Sequence, residues 1–151
     1  MSQGYTETDS KPEHGSGHIT FIGQQIAYAV SGEWDRIAST SYPLYSNWQN
    51  VSNTQNDQCT YRMWLSKGTY TLSVIAIRNT NGAIQTVLLD GSSVGTIDWY
   101  GTLDYDNIQT LTGITVSTTG IHELSFQVAT RHASSTGWYL RYSTFAMFRT
   151  A

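Results

Sequence analysis

Between Arg131 and Tyr139 the chain reads R-H-A-S-S-T-G-W-Y, a guanidinium, an imidazole, hydroxyls and two aromatic rings in one polar stretch. Flat rings stack on the apolar faces of sugars and anchor protein interfaces, and the neighbouring donors then fix orientation. Arg131, His132 and Trp138 are therefore candidate glycan or subunit contacts. A second aromatic group, Trp34, Tyr42, Tyr45 and Trp48, falls in the irregular stretch 31–56. Its rings either lid one end of the fold or offer a stacking surface, and Trp34, Tyr45 and Trp48 join the candidate set.

Catalytic chemistry finds less support. Asp90, Asp98, Asp104, Asp106 and Glu123 invite a glycosidase reading, which needs two carboxylates flanking one bond. Asp90 is explained by the turn it shares with Gly91, and Glu123 by the solvent side of a strand. Asp98, Asp104 and Asp106 could share a loop and bind calcium, but their spacing matches no known calcium loop. His14 and His18 are four apart with no helix to put them on one face, so the histidines form no metal pattern. His122 suits a packing role at a strand start. No nucleophile elbow, phosphate loop or dinucleotide fingerprint occurs. The expectation is a non-enzyme without metal or cofactor.

Charge excludes other classes. Charged residues make up 13% of the chain, the net charge is −3, and Lys occurs only at Lys11 and Lys67. Nucleic-acid binding rests on clustered cations, so it is not expected. No apolar run is long enough for a membrane helix, and no signal-peptide core follows Met1. A complete product of a cytoplasm is the expectation. Cys59 is the single cysteine, which excludes an internal disulfide and suits a small buried side chain. Asn50-Val51-Ser52 fits a glycosylation acceptor, which means little without a secretion signal.

The elements that position these residues read as strands. Lys67 to Asp98 predicts three consecutive strands in a meander, joined by hairpin turns at Asn81-Gly82 and Asp90-Gly91, dipeptides that tolerate φ > 0. Ile121 to Ala129 alternates, with Leu124, Phe126 and Val128 inward and Glu123, Ser125 and Gln127 outward. Further strands are expected over His18–Val30 (broken near Gly23), Asp57–Leu65, Gly113–Ser117 and Trp138–Arg149. Short strands are expected near Tyr42–Tyr45 and Gln49–Val51, and a loop follows Asp98 to near Ile108. About eight or nine strands with regular turn signals and no helix predict an all-β, jelly-roll-like antiparallel sandwich over residues 18–151. Residues 1–17 lack apolar periodicity and form an extended N-terminal arm.

G-T-Y-T-L at 68–72, L-D-G-S-S-V-G-T-I-D-W-Y at 89–100, V-S-T-T-G-I-H-E-L at 116–124 and R-H-A-S-S-T-G-W-Y-L at 131–140, with F-R-T at 148–150, give the chain a resemblance. Over roughly residues 57–150 it resembles the jelly-roll modules of bacteriophage structural proteins, in tail fibres and on capsid surfaces. The resemblance implies a virion protein made in the host cytoplasm: a capsid decoration (cement) protein on the capsid surface, bound to the major capsid protein or other virion subunits and forming a trimer or dimer. Its arm would dock on a neighbour, with Tyr5 as anchor and Lys11, Pro12 and His14 alongside. Carbohydrate-binding modules share similar strand motifs, so the competing expectation is a receptor-recognition module for surface glycans.

Overall fold

The computed structural model describes residues 18–22, 28–38, 46–50 and 53–151. The proposed arm, with Tyr5, Lys11, Pro12 and His14, lies outside these residues, as do Tyr42 and Tyr45. Eleven strands run in order: β1 (His18–Ile22), β2 (Ala29–Ser31), β3 (Trp34–Ala38), β4 (Ser46–Asn50), β5 (Gln58–Leu65), β6 (Gly68–Arg78), β7 (Ala83–Leu89), β8 (Ser92–Asp98), β9 (Asp104–Val116), β10 (Gly120–Arg131) and β11 (Arg141–Arg149). They form two antiparallel sheets, one ordered β3-β4-β11-β6-β9 with β1 also on β11, the other β2-β5-β10-β7-β8. No helix occurs among the described residues. The expected jelly-roll-like sandwich is the fold.

The inward half of the β10 alternation is as its sequence implies, but Ser125, expected outward, is buried too, its hydroxyl bonded to that of Thr60 at 2.8 Å. Leu124, Phe126 and Val128 are fully buried, and their strand sits between β5 and β7. Opposite them the other sheet contributes Leu72, Val74, Tyr142, Phe145 and Met147. Tyr61, Phe126, Tyr142 and Phe145 meet edge-on or tilted at centroid distances of 4.8 to 6.5 Å, the arrangement aromatic quadrupoles favour. The Tyr61 and Tyr142 hydroxyls bond each other, and the buried Cys59 thiol donates to Tyr61 at 3.4 Å. Burial pushes both phenols far up, so they stay neutral in the core.

Three expectations change. Asp90-Gly91 is a tight hairpin, with φ of 50° and 78°. Asn81-Gly82 is not: β6 and β7 lie in different sheets, so it carries a crossover and the predicted meander is broken there. Gly82 serves close approach, since a Cβ on it would sit 2.2 Å from the Trp99 carbonyl oxygen. The region 31–56 holds the paired strands β3 and β4 instead of a mainly irregular loop. The expected loop up to Ile108 and the short strand from Gly113 are one 13-residue strand, β9. Its start mixes polar residues with Tyr105 and Ile108, and two bulges shift its register against β6, one at Gly113, with φ of 73°, and one between Asp104 and Asn107.

Candidate functional site

The C-terminal ends of β4, β6, β8 and β10 meet at one end of the sandwich, where the loops following them interlock. The loop after β10, residues 132–140, is held from both sides. On one side Thr136 N–H donates to Thr80 O at 3.1 Å, Tyr139 N–H to Asn81 O at 3.1 Å, and Ala83 N–H to Tyr139 O at 2.8 Å. On the other side Asn53 Oδ1 accepts Trp138 N–H at 2.6 Å and Asn50 Oδ1 accepts Leu140 N–H at 2.7 Å. The Asn50 amide also donates to Trp138 O at 2.9 Å and to Asp57 Oδ2 at 3.2 Å. Inside the loop the buried Ser135 Oγ lies 2.9 Å from Gly82 O and 3.0 Å from Gly137 O, and these two carbonyls share its one proton. A loop of small polar residues is thereby fixed as firmly as a strand, because its backbone groups have assigned partners.

This scaffold presents one stacked ring pair and two guanidinium–ring contacts. His132 lies parallel to Tyr100, with centroids 4.2 Å apart and planes 2° apart. Ser134 N–H donates to His132 Nδ1 at 3.2 Å, which leaves Nε2 as the protonated nitrogen of the neutral ring. The exposed Arg131 guanidinium stands 5.2 Å from the centre of the half-buried Trp138 ring. A second guanidinium, that of Arg141, stacks 4.5 Å over Tyr139; burial pulls its pKa below the ordinary value, against the opposing pull of Tyr139 and Tyr105. Tyr100 is itself placed by the fully buried Trp99, whose indole N–H donates to Gln85 Oε1 at 2.8 Å. Tyr100 O then accepts from Arg78 Nε at 2.9 Å.

Of the six candidates read from sequence as glycan or interface contacts, the fold brings Arg131, His132 and Trp138 together. Trp34 lies opposite Asn50 in β3, but its indole N–H donates to Ser31 O at 3.0 Å and its ring meets Tyr142 edge-on at 6.1 Å. That ring closes the core. Trp48 belongs to β4 by its backbone, and its side chain, like Tyr45, lies outside the described residues. Sequence reading missed Tyr100, Asn50 and Asn53 as parts of this end, and did not single out Tyr139 within the stretch it closes. The glycosylation reading of Asn50 fails because the residue is fully buried and engaged.

The carboxylates at this end hold protein groups. Asp57 Oδ2 also accepts Thr54 N–H at 3.3 Å, and Asp98 Oδ1 accepts Tyr100 N–H at 2.9 Å. Asp104 accepts Asp106 N–H and the Asn107 amide. Among the described residues no group of three or more His, Cys, Asp or Glu is placed to hold a metal ion. The chemistry on offer is stacking and hydrogen bonding on a rigid surface.

No protein-family model matches the chain, and no curated protein matches it. Solved structures do. The chain is similar to the carbohydrate-binding module CBM36 in complex with calcium and xylotriose, at 20% identity and a TM-score of 0.65, over 86% of this chain and 98% of that one. It is also similar to the CBM36-1 domain of a multidomain xylanase from the hindgut metagenome of Trinervitermes trinervoides, at 15% identity and TM-score 0.66, over 89% and 98%. A match to Paenibacillus xanthan lyase has TM-score 0.68 and 17% identity, covering 85% of this chain but 13% of the lyase. Identities this low establish a shared fold. The matches overturn the resemblance to phage structural proteins: the jelly roll stands, but the solved structures similar to this chain include carbohydrate-binding modules and larger enzymes. The phage resemblance rested on strand-and-turn motifs that many sandwiches need for the same physical reasons, so it could not tell one kind of jelly roll from another.

Proposed function

We propose that this chain is a non-catalytic carbohydrate-binding module that recognises glycan at its loop end. The observation that carries the reading is the pinned loop 132–140, which sets Trp138 beneath Arg131 and His132 against Tyr100 on a scaffold of satisfied hydrogen bonds. A surface organised before binding loses little entropy when a sugar docks, which is what a weak, hydroxyl-rich ligand requires. Ring faces supply stacking, while Arg131 and His132 supply donors to sugar hydroxyls. The similarity of fold to modules such as the CBM36 bound to xylotriose supports the same reading.

The test is native-gel mobility in soluble polysaccharides, with xylan, mannan and laminarin as the first panel. Retardation by at least one polymer, reduced in Arg131→Ala and Tyr100→Ala, is the expected result. Unretarded migration across the panel, or retardation indifferent to both changes, contradicts it.

A further inference from the structure

The arginines with described side chains fall into two groups. Arg62 bonds Glu123 Oε1 through Nε at 2.9 Å and Nη2 at 2.8 Å. Arg78 Nε donates to Tyr100 O at 2.9 Å, and Arg149 Nη2 to Lys67 O at 3.0 Å. Arg131 and Arg141 differ. Among the described residues neither guanidinium donates to another group, and neither pairs with Asp57, Asp98, Asp104 or Asp106 at the same end. Stacking on a ring is not what sets them apart, because Arg62 also stacks, 3.5 Å over Tyr28. There a carboxylate closes the fork of N–H donors; on Trp138 and Tyr139 the fork is left open.

For Arg131 an open fork says little, since the side chain is exposed and water serves it. Arg141 is half-buried, and its Nε is buried with no partner. A guanidinium drawn out of water without a counter-charge costs free energy. Across the strand pair it opposes Gln49, a neutral residue 7% exposed. Its neighbour Tyr142 points into the core, so Arg141 stands on the outer face of its sheet, over Tyr139. Tyr139 follows Trp138 in the pinned loop, which places this open cation at the rim of the aromatic surface.

We propose that Arg141, held on Tyr139, takes the carboxylate of an acidic sugar, so that the glycan bound at the loop end carries uronic acid. The inference rests on the glycan reading and names the class of sugar. A planar guanidinium matches a planar carboxylate with two parallel N–H···O bonds. The ligand then supplies the counter-charge that the chain withholds, and stacking on Tyr139 keeps the fork oriented beforehand. The neutral polymers are the weaker ligands on this account.

Isothermal titration calorimetry of the full chain with matched pairs of oligosaccharides tests it. One pair is oligogalacturonate and its methyl ester; the other is a xylo-oligosaccharide with and without a glucuronate branch. In at least one pair the acidic member should bind about tenfold more tightly, equivalent to 1.4 kcal/mol. That ratio should fall to near one in Arg141→Gln and lie between in Arg141→Lys, which keeps the charge but loses the fork. The melting temperature of Arg141→Gln should equal or exceed that of wild type, because no internal partner is lost. Equal binding within both pairs overturns the uronate assignment while the glycan reading stands. An acid preference that survives Arg141→Gln, or tighter binding of a sulfated galactan oligosaccharide than of either acidic member, overturns it too. So does a lower melting temperature in Arg141→Gln, which would give the side chain a structural role. Binding by none of these sugars, with no retardation in the gels, removes the glycan reading first and this inference with it.

Discussion

Asn50 and Leu140 are tied twice: Asn50 Oδ1 accepts Leu140 N–H at 2.7 Å, and Asn50 N–H donates to Leu140 O at 3.3 Å. With its further bond to Trp138 O, this one fully buried amide closes the end of β4 onto the loop that carries the aromatic surface. Asn50→Ala removes an acceptor and a donor at once and leaves a buried N–H and C=O unpaired. The expected cost is roughly 2–4 kcal/mol, read by urea denaturation, together with weaker polysaccharide retardation. A loss within the range of ordinary surface changes, about 0.5 kcal/mol, would mean that the loop holds itself.

A second prediction concerns Asp90 and His122. Asp90 Oδ2 lies 2.6 Å from His122 Nδ1, Asp90 Oδ1 accepts Glu123 N–H at 2.9 Å, and His122 Nε2 lies 2.9 Å from Thr118 O. Burial works against the Asp90 charge, but the hydrogen bonds from His122 and Glu123 and the His122 charge outweigh it, so the carboxyl sits below its ordinary value. As pH falls, the unfolded chain takes up this proton first. The stabilisation is therefore complete above the ordinary aspartate value of about 4 and disappears as pH drops through the lower folded value. Asn tolerates the positive φ of this turn, so Asp90→Asn isolates the charge. The melting-temperature gap between wild type and Asp90→Asn should be wide near neutrality and close in acid. A gap independent of pH would assign the effect to geometry alone.

Glycines at two positions should respond oppositely to alanine. At Gly82 a Cβ meets the Trp99 backbone at 2.2 and 2.6 Å, which no side-chain rotation relieves. Gly82→Ala should cost roughly 2–4 kcal/mol and disturb the Asn79–Trp99 packing under Tyr100. At Gly120 nothing lies within 4 Å, so Gly120→Ala should be neutral or stabilising by about 0.4–1 kcal/mol through the unfolded chain. Thermal unfolding of the two variants checks both signs, and equal effects would contradict the packing argument.

Strands with one apolar face were legible in the sequence. The pattern of β10 gives its inward residues Leu124, Phe126 and Val128, though not the burial of Ser125, and the Asp90-Gly91 turn declares itself chemically. The crossover at Asn81-Gly82 was not, because a dipeptide that permits φ > 0 states nothing about which sheet the next strand joins. The first half of β9 was hidden because an edge strand need not alternate in polarity. Of the site, Arg131, His132 and Trp138 were visible as a cluster in one loop. Tyr100 and Asn50 were not, since His132 meets the one and Leu140 the other only through the topology of distant strands.

The most direct test of the central claim is a nitrogen-15 NMR titration of the full chain with an oligosaccharide drawn from the polymer that retards it in gels. The account predicts that the largest shift changes fall on the Trp138 indole and on the backbone amides of Tyr100, His132 and Tyr139, and that Arg131→Ala weakens binding about tenfold, equivalent to 1.4 kcal/mol. Shift changes confined to the open sheet faces, or none at saturating sugar, would contradict it.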